Sequence, residues 1–324
     1  MSPRSSTSAM SRRLRSFDPC WCGSGVKHKR CHGDARALRR PPVTPGAVGP
    51  PRAVPDGIAR PDYVGGRRPS SAPLQIFTDP EELACLRRAA TVAAEVLAET
   101  MAAVAPGVTT DHLDAVAHDA YLRRGAYPST LGYSSYPKSI CTSVNEVVCH
   151  GIPDGRPLRD GDIVNIDVTA FVDGFHGDTS ATVAVGTIDE ATAGLVRSAR
   201  EAMEMGIAAV RPGRPVRDIG AAIEQFGRQR GYGVVPDIGG HGIGRVFHAP
   251  PHISHVDDPH STTIMVPGMV FTVEPMLNAG RPEHLSWDDD WTIACVDGLP
   301  SAQFEHTVLV TDDGAEVLTV VPGR

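Results

Sequence analysis

The sequence predicts an α+β protein whose body contains two diverged copies of one helix–helix–strand unit. AAVAPG (102–107) and AAVRPG (208–213) lie 106 positions apart, each at the end of a long helical pattern. At an offset of 107, GDIVNID (161–167) overlays GMVFTVE (268–274). In the first copy, Asp-Gly at 173–174 separates two alternating apolar runs, which is a strong hairpin signal. Helices and antiparallel strands in each copy therefore predict a fold with pseudo-twofold symmetry.

The N terminus differs in composition from the rest of the chain. Residues 1–40 hold ten Lys/Arg against two Asp, a balance of +8, which leaves −15 for the remainder of a chain with net charge −7. A basic head on an acidic body suggests an anionic partner for the head, such as RNA. Residues 1–16 are rich in Ser and Arg and are expected to be a disordered basic tail.

The cellular compartment is indicated by what the chain contains and lacks. No apolar run approaches the ~20 residues of a membrane helix, and the start has no hydrophobic region typical of a secretory signal. Seven cysteines, three of them among the first 31 residues, favour metal-binding thiols in a reducing compartment. We expect a cytoplasmic protein that does not engage membranes.

Residues 17–35 have the ligand spacing of a small zinc module. A tetrahedral zinc shell could be completed by Cys20, Cys22, Cys31 and His32. A segment this short could fold only when such a metal ion links its side chains. The segment resembles the SEC-C zinc motif, which implies one structural zinc and a docking role. The alternative is a basic tail with incidental cysteines. Basic residues within it (Lys27, Lys29 and Arg30) would contact a partner, or would simply form a solvated basic face.

Residues 36–75 are dense in Pro, Gly and Arg without apolar periodicity, and we interpret them as a linker. The globular domain, residues 76–324, then begins with four predicted helices in two pairs. Capping residues and Pro-Gly stops place them at about 79–104, 111–124, 189–210 and up to 231.

The hairpin carries two acids whose positions predict a metal site. If Asp173 and Gly174 form the turn, Thr169 faces Asp178, and Asp167 lies diagonal to Asp178 on the same face. Apolar residues cover the other face. Two carboxylates that point together inside an apolar hairpin are too costly to leave unpaired, so a metal ion is expected between them.

The second copy supplies three further candidate ligands. His241 lies between glycines in GHGIG, and Glu274 and Glu305 each interrupt an apolar strand run. One such acid could belong to a buried salt bridge, but four acids and a histidine favour a metal centre. The donor set suits Mn, Fe, Co or Zn.

From residue 76 onwards the chain resembles type I methionine aminopeptidases, which have the pita-bread metallopeptidase fold. The resemblance lies in YPKSICTSVNEVVCHGIP (136–153), NIDVTAFVDGFHGDTS (165–180), GGHGIGRVFH (239–248), VFTVEPM (270–276) and SAQFEHT (301–307). Thr130, Ile238 and Val246 depart from the family's more usual residues. The resemblance implies a pita-bread α+β fold with a curved antiparallel sheet, and a monomer.

The resemblance also implies residue roles. Two divalent ions would be held by Asp167, Asp178, His241, Glu274 and Glu305, with Asp178 and Glu305 bridging them. His150, His248 and Glu274 would be catalytic, with both histidines also contacting the substrate. The methionine pocket would be lined by Tyr133, Tyr136, Cys141, Phe247 and Trp291. The aromatic residues among them could alternatively belong to the hydrophobic core.

The implied reaction removes the initiator methionine from nascent proteins and peptides that have a small second residue. A hydroxide activated by the two metals would attack the first peptide bond. Two other readings stay open. The same five ligands resemble prolidase and aminopeptidase P, which act beside proline, and a non-catalytic relative could use the fold to dock on ribosomes. The complete ligand set favours the aminopeptidase.

Overall fold

The computed structural model describes residues 15–20 and 24–321. Cys22 and nearly all of the predicted tail therefore lie outside the described residues. In the described part, the helices are α1 (Ala35–Leu38), α2 (Pro80–Ala102), α3 (Thr110–Arg123), α4 (Glu190–Ala208) and α5 (Arg217–Arg230). The strands are β1 (Tyr127–Pro128), β2 (Cys141–Val144), β3 (Val147–Cys149), β4 (Ile163–Val172), β5 (Phe175–Ala184), β6 (Gly233–Val234), β7 (Gly240–Gly242), β8 (Ala249–Ile253), β9 (Val270–Val273), β10 (Met276–Asn278), β11 (His284–Ser286), β12 (Ile293–Cys295), β13 (Ser301–Val310) and β14 (Ala315–Val317). None of the helices among these residues is both long and apolar enough to cross a membrane.

The long helices begin and end where the capping signals predict. The Asp79 side chain accepts a hydrogen bond from the amide of Glu81 at the start of α2, and Asp189 accepts one from Thr192 at the start of α4. Such caps satisfy amides that have no partner inside the helix. Gly231 closes α5 with φ of 82°, a conformation in which a side chain would be strained. The helix predictions are correct to within about two residues at each end.

The hairpin register is confirmed. Asp173 and Gly174 both have positive φ, 51° and 82°, as the favoured two-residue hairpin turns require. Thr169 on β4 pairs with Asp178 on β5. Asp167, two positions before Thr169, therefore lies on the same face of the hairpin, diagonal to Asp178.

The sheet joins the two predicted halves through β13. One eleven-stranded sheet has the main order β1-β4-β5-β13-β9-β7-β8, with β13 antiparallel to both β5 and β9. Helix α2 packs against β4 and β5, and α4 packs against β13. Each half buries its own large apolar cluster. The prediction of an α+β fold with related halves is confirmed.

Residues 39–75, called the arm below, pack against the globular domain and do not form a free connection between it and the N-terminal module. They contain no helix and no strand, but they contact both halves. Arg40 pairs with Asp189 at the start of α4, and Arg52 donates to Asp114 on α3 over 2.9 Å. The Tyr63 side chain is buried. Extended backbone agrees with the linker interpretation, whereas these contacts are long-range and could not be read from local composition.

The zinc module, residues 17–35, rests on the second half of the domain. His32 Nε2 lies 3.6 Å from a carboxylate oxygen of Glu190 on α4. Phe17 is largely exposed, and the ammonium groups of Lys27 and Lys29 lie 5.7 Å and 3.8 Å from the centre of its ring. The outer side of the module thus presents an aromatic ring surrounded by positive charge.

Candidate active site

Three acids from three adjacent strands converge at the centre of the sheet. Asp167 is on β4, Asp178 on β5 and Glu305 on β13, and one carboxylate oxygen from each lies within 4.8 Å of the others. The pairing of Glu305 with Ser180 aligns β13 with the hairpin, so that Glu305 lies level with Asp167, which pairs with Ser180 from the other side. The sequence places these residues 11 and 127 positions apart, so only the antiparallel register brings them together.

His241 and Glu274 complete the cluster from the second half. His241 Nε2 lies 3.7 Å from Asp178 Oδ2 and 3.8 Å from Glu274 Oε1. The other ring nitrogen, Nδ1, lies 3.2 Å from the carbonyl oxygen of Gly242. A proton on Nδ1 would be donated to that carbonyl, which directs the lone pair of Nε2 toward the carboxylates. All five predicted ligands therefore meet in one place.

The electrostatics of the centre favour a bound cation. Burial raises the pKa of Asp167 to about 7 and, with repulsion from Asp167, raises that of Glu274 to about 8. Burial and then mutual repulsion raise the pKa of Asp178 and Glu305 well above the usual range. Burial lowers the pKa of His241 to about 4, so its imidazole is neutral and can act as a ligand. Carboxylates and one imidazole fit hard and borderline divalent ions.

A cavity of about 330 Å³ opens over the four acids and the histidine. Its walls include every residue predicted for the substrate pocket or for catalysis: Tyr133, Tyr136, Cys141, His150, Phe247, His248 and Trp291. The Tyr136 hydroxyl donates to the carbonyl of Gly151 over 2.9 Å, and its ring meets the Trp291 ring edge-on at 5.1 Å. These aromatics are thus cavity wall rather than interior core.

The two predicted catalytic histidines face the cavity from opposite halves. The ring of His248 lies 4.0 Å from that of His241, and the ring of His150 lies 6.0 Å from that of Trp291. Burial lowers the pKa of both histidines, and for His248 the neighbouring imidazoles lower it further. His150 has φ of 56°, an uncommon left-handed conformation for a residue other than glycine. Such backbone strain is frequent at functional positions.

Several residues of the site were not predicted. Asp237, Gly239 and His252 line the cavity, together with Thr130 and Ile238, which sequence comparison marked only as departures. The position of His252 follows from strand pairing, because it pairs directly with His241 between β7 and β8. Asp237 gave no such signal because it lies on a loop.

Thr272 is a further unpredicted residue, although strand periodicity could have indicated it. It lies two positions before Glu274 and therefore on the same face of the strand. Its hydroxyl donates to Glu274 Oε1 over 2.7 Å and accepts from the amide of His241 over 3.0 Å. Gln303 donates to the other oxygen of Glu274 over 3.2 Å. Two candidate ligands are thus oriented by one hydroxyl.

A second cluster of metal-binding side chains lies in the zinc module. One ligand atom each from Cys20, Cys31 and His32 lies within 4.8 Å of the others. Cys22, the fourth predicted ligand, is outside the described residues. His28 Nδ1 also lies 3.7 Å from the sulfur of Cys20, a neighbour that the spacing argument did not include.

Fold and centre together define a metalloenzyme, since a pseudo-symmetric sheet gathers four acids and a histidine at the base of one cavity. The chain belongs to metallopeptidase family M24, whose model matches residues 84–312. A model of the SEC-C motif matches residues 18–34.

Proteins similar to this chain in sequence include methionine aminopeptidases. "Methionine aminopeptidase 2" of Mycobacterium tuberculosis is 50% identical over 280 residues, covering 86% of this chain and 98% of that protein. "Methionine aminopeptidase 1D, chloroplastic/mitochondrial" of Arabidopsis thaliana is 45% identical over 283 residues, covering 87% and 80%. The sequence resemblance to this family is confirmed.

Solved structures agree with this assignment. The crystal structure of methionine aminopeptidase from Rickettsia prowazekii has a TM-score of 0.74 and 45% identity, covering 76% of this chain and all of that one. The prolidase from Pyrococcus furiosus has a TM-score of 0.63 at 23% identity, covering 76% and 66%. At that identity the prolidase shares the fold only. The predicted pita-bread fold is therefore confirmed.

Proposed function

We propose that this protein removes the N-terminal methionine from nascent proteins and peptides that have a small second residue. The convergence of Asp167, Asp178 and Glu305 beneath a cavity with sulfur and aromatic walls carries the proposal. Buried carboxylates with raised pKa values are expected where a cation is to be bound. A flexible apolar side chain such as methionine suits a wall of this kind.

We assign the metal ligands as the sequence resemblance implies. Asp178 and Glu305, the most buried acids of the centre, would be ligands of the divalent ions together with Asp167. His241 and Glu274, held by the Thr272 hydroxyl, would complete the ligand set. When bound, two such ions lower the pKa of a shared water and polarise the substrate carbonyl. The donor set fits Co, Mn, Fe or Zn without ranking them.

The surrounding residues then orient the peptide and move protons. Glu274, whose Oε1 lies 3.8 Å from His241 Nε2, is assigned the transfer of a proton to the leaving amine. The neutral imidazoles of His150 and His248 are assigned hydrogen bonds to the substrate amide and to the developing oxyanion. Tyr133, Cys141 and Trp291 would surround the methionine side chain, with Tyr136 and Phe247 completing the wall.

The direct test is release of free methionine from Met-Ala-Ser by protein reconstituted with each metal. Peptides that begin with proline and peptides of the type Xaa-Pro are run in parallel. We expect release of methionine from Met-Ala-Ser and no cleavage of the proline peptides. The Asp167→Asn variant should lose this activity. Cleavage only beside proline would replace the proposal with a prolidase-like activity. Stoichiometric metal binding without any turnover would indicate a docking protein.

A second proposal concerns the zinc module, which we infer binds one structural zinc through Cys20, Cys22, Cys31 and His32. Its exposed Phe17 ring among basic side chains is suited to RNA phosphates and bases. The module would then bring a monomeric enzyme to ribosomes in the cytoplasm, where nascent N termini emerge.

The test of ribosome binding uses charge reversal within the complete chain. Lys27→Glu combined with Lys29→Glu should abolish sedimentation with ribosomes at low salt, because phosphate contacts depend on positive charge. The matched control reverses two exposed arginines of the body, Arg197 and Arg200. Equal sedimentation of both variants and of the unmodified protein would contradict the proposal.

A further inference from the structure

We propose that Tyr63 of the arm is a positioning residue of the methionine pocket, acting through Tyr133 and His176. The inference deepens the proposed function and rests on it. Tyr63 lies outside residues 84–312, the part that the M24 family model matches, and it does not line the cavity. Its side chain is nevertheless almost completely buried, at 2% exposure.

Tyr63 is the outer member of a stack of rings that reaches the cavity. Its ring is nearly parallel to that of His176, with 6.4 Å between centres and 21° between planes. His176 in turn stacks on Phe247 at 5.4 Å and 12°. Phe247 lies on the cavity wall, 4.2 Å from the ring of His248. Displacement of the outer ring is therefore transmitted to the wall in two contacts.

A second contact runs directly from Tyr63 to the pocket. The edge of one ring meets the face of the other between Tyr63 and Tyr133, with the centres 5.0 Å apart and the planes at 88°. Tyr133 also packs on Phe247 at 4.9 Å. Edge-to-face aromatic pairs have a preferred geometry as well as apolar area. Tyr63 thus backs two neighbouring parts of the wall at once.

Hydrogen bonds fix the stack at both ends. The Tyr63 hydroxyl donates to the carbonyl of Ser129, and the Ser129 hydroxyl lies 2.8 Å from His176 Nδ1. The backbone amide of His176 donates to the carbonyl of Gly244 over 2.8 Å. This last bond anchors the loop that leads to Phe247. The arm, β5 and the loop after β7 are consequently held in one arrangement.

Removal of the Tyr63 ring should leave a void behind Tyr133 and His176. The two side chains can then relax outward, so the wall no longer fits an unbranched thioether better than a branched side chain. A purely structural role for Tyr63 would reduce the amount of folded enzyme and lower all activities in proportion. A positioning role instead changes the ratio of activities on two substrates.

The experiment compares kcat/KM for Met-Ala-Ser and Leu-Ala-Ser in the metal-loaded full chain. Tyr63→Ala should lower the preference for methionine about tenfold, mainly through KM for Met-Ala-Ser. It should also weaken binding of free L-methionine, measured by calorimetry, by about the same factor. Tyr63→Phe keeps the ring and should retain the preference to within about twofold. If Tyr63→Ala does not fold, Tyr63→Leu takes its place with the same expectation.

The matched control is Leu38→Ala, which removes an equally buried side chain next to the arm but on the other half, against Ala191 and Leu299. It should lower the melting temperature and leave the preference unchanged. An unchanged preference in the Tyr63 variants, or an equal change in Leu38→Ala, would overturn the inference. Failure of the unmodified protein to release methionine would instead overturn the proposed function.

Discussion

The candidate metal centre and the N-terminal cysteine module position their potential metal-binding side chains in opposite ways. In the centre, the candidate ligands come from five separate stretches of chain, and large apolar clusters hold those stretches in place. In the module, all four candidates lie within 13 residues, and among the described residues few apolar side chains of the module are buried. The first site is therefore positioned by the fold, whereas the second is expected to create its own fold when metal binds.

The difference predicts opposite consequences of metal loss. A centre that assembles repelling carboxylates is destabilised when it is empty, but its scaffold should persist. A module without its own core should lose its structure with the metal.

The largest effect is expected from removal of one negative charge at the centre. Glu305→Gln should lower kcat/KM about a thousandfold, because several kcal/mol of metal-dependent stabilisation are lost. The melting temperature in chelator should stay equal or rise, because repulsion from Asp178 is relieved. Calorimetry and methionine release measure the two effects. Glu283→Gln, at an exposed carboxylate, is the control, and a large fall in the stability of Glu305→Gln would contradict a centre held by the fold.

A smaller effect is expected from loss of the hydroxyl that orients two ligands. Thr272→Val should weaken metal affinity about tenfold, as is typical when a group that orients a ligand is removed. The measurement is a metal titration followed by activity or calorimetry. Thr100→Val removes an equally buried hydroxyl that bonds only the backbone of α2. Equal affinities in both variants would exclude an orienting role for Thr272.

The metal-free domain should become less stable as the pH rises. Folding raises the pKa of Asp167 to about 7 and of Glu274 to about 8, so between about pH 6.5 and 8, where histidines are largely neutral in both states, the folded state holds protons that the unfolded state has released. Stability is therefore greatest near the acid end of this range and falls toward pH 8. We expect a decrease in melting temperature of about 5 °C or more in chelator. A melting temperature that rises over this pH range would contradict the repulsion assigned to the carboxylates of the centre.

The smallest effect on activity is expected from the zinc module. Cys31→Ser should abolish the structural zinc and the protection of residues 24–35 against hydrogen exchange, while kcat/KM changes less than about twofold. Exchange monitored by mass spectrometry and zinc analysis measure the outcome. Cys85→Ser, on α2 and remote from the module, is the control. Retained protection in Cys31→Ser would mean that the domain surface, rather than the metal, holds the module.

Much of the fold and the centre could be predicted because the signals are local. The Asp-Gly turn fixed the register that places Asp167 diagonal to Asp178, and caps such as Asp79 set the helix limits. Candidate ligands were recognisable because Asp167, Glu274 and Glu305 each interrupt an apolar strand run, and Asp178 shares a face of the hairpin with Asp167. The role assignments still rest on the resemblance and stay predictions.

The contacts of the arm could not be predicted in this way. The roles of Arg52 and Tyr63 depend on their contacts with α3, with the loop after β1 and with β5. Nothing in a Pro- and Gly-rich sequence indicates those contacts. Asp237 was missed for the same reason, because loops have no period that places a side chain. Long-range contacts without periodicity are the part of the structure that sequence patterns do not encode.

The arm also constrains the order in which the chain can acquire its structure. Its first anchor, Arg40, must wait for Asp189, which lies 149 positions further along, and Arg52 must wait for Asp114, which lies 62 positions further along. Closing so long a loop is entropically unfavourable until both halves are in place. The arm is thus synthesised before its partners but is expected to be among the last segments to settle, and Tyr63 can contact Tyr133 and His176 only once those residues have been made.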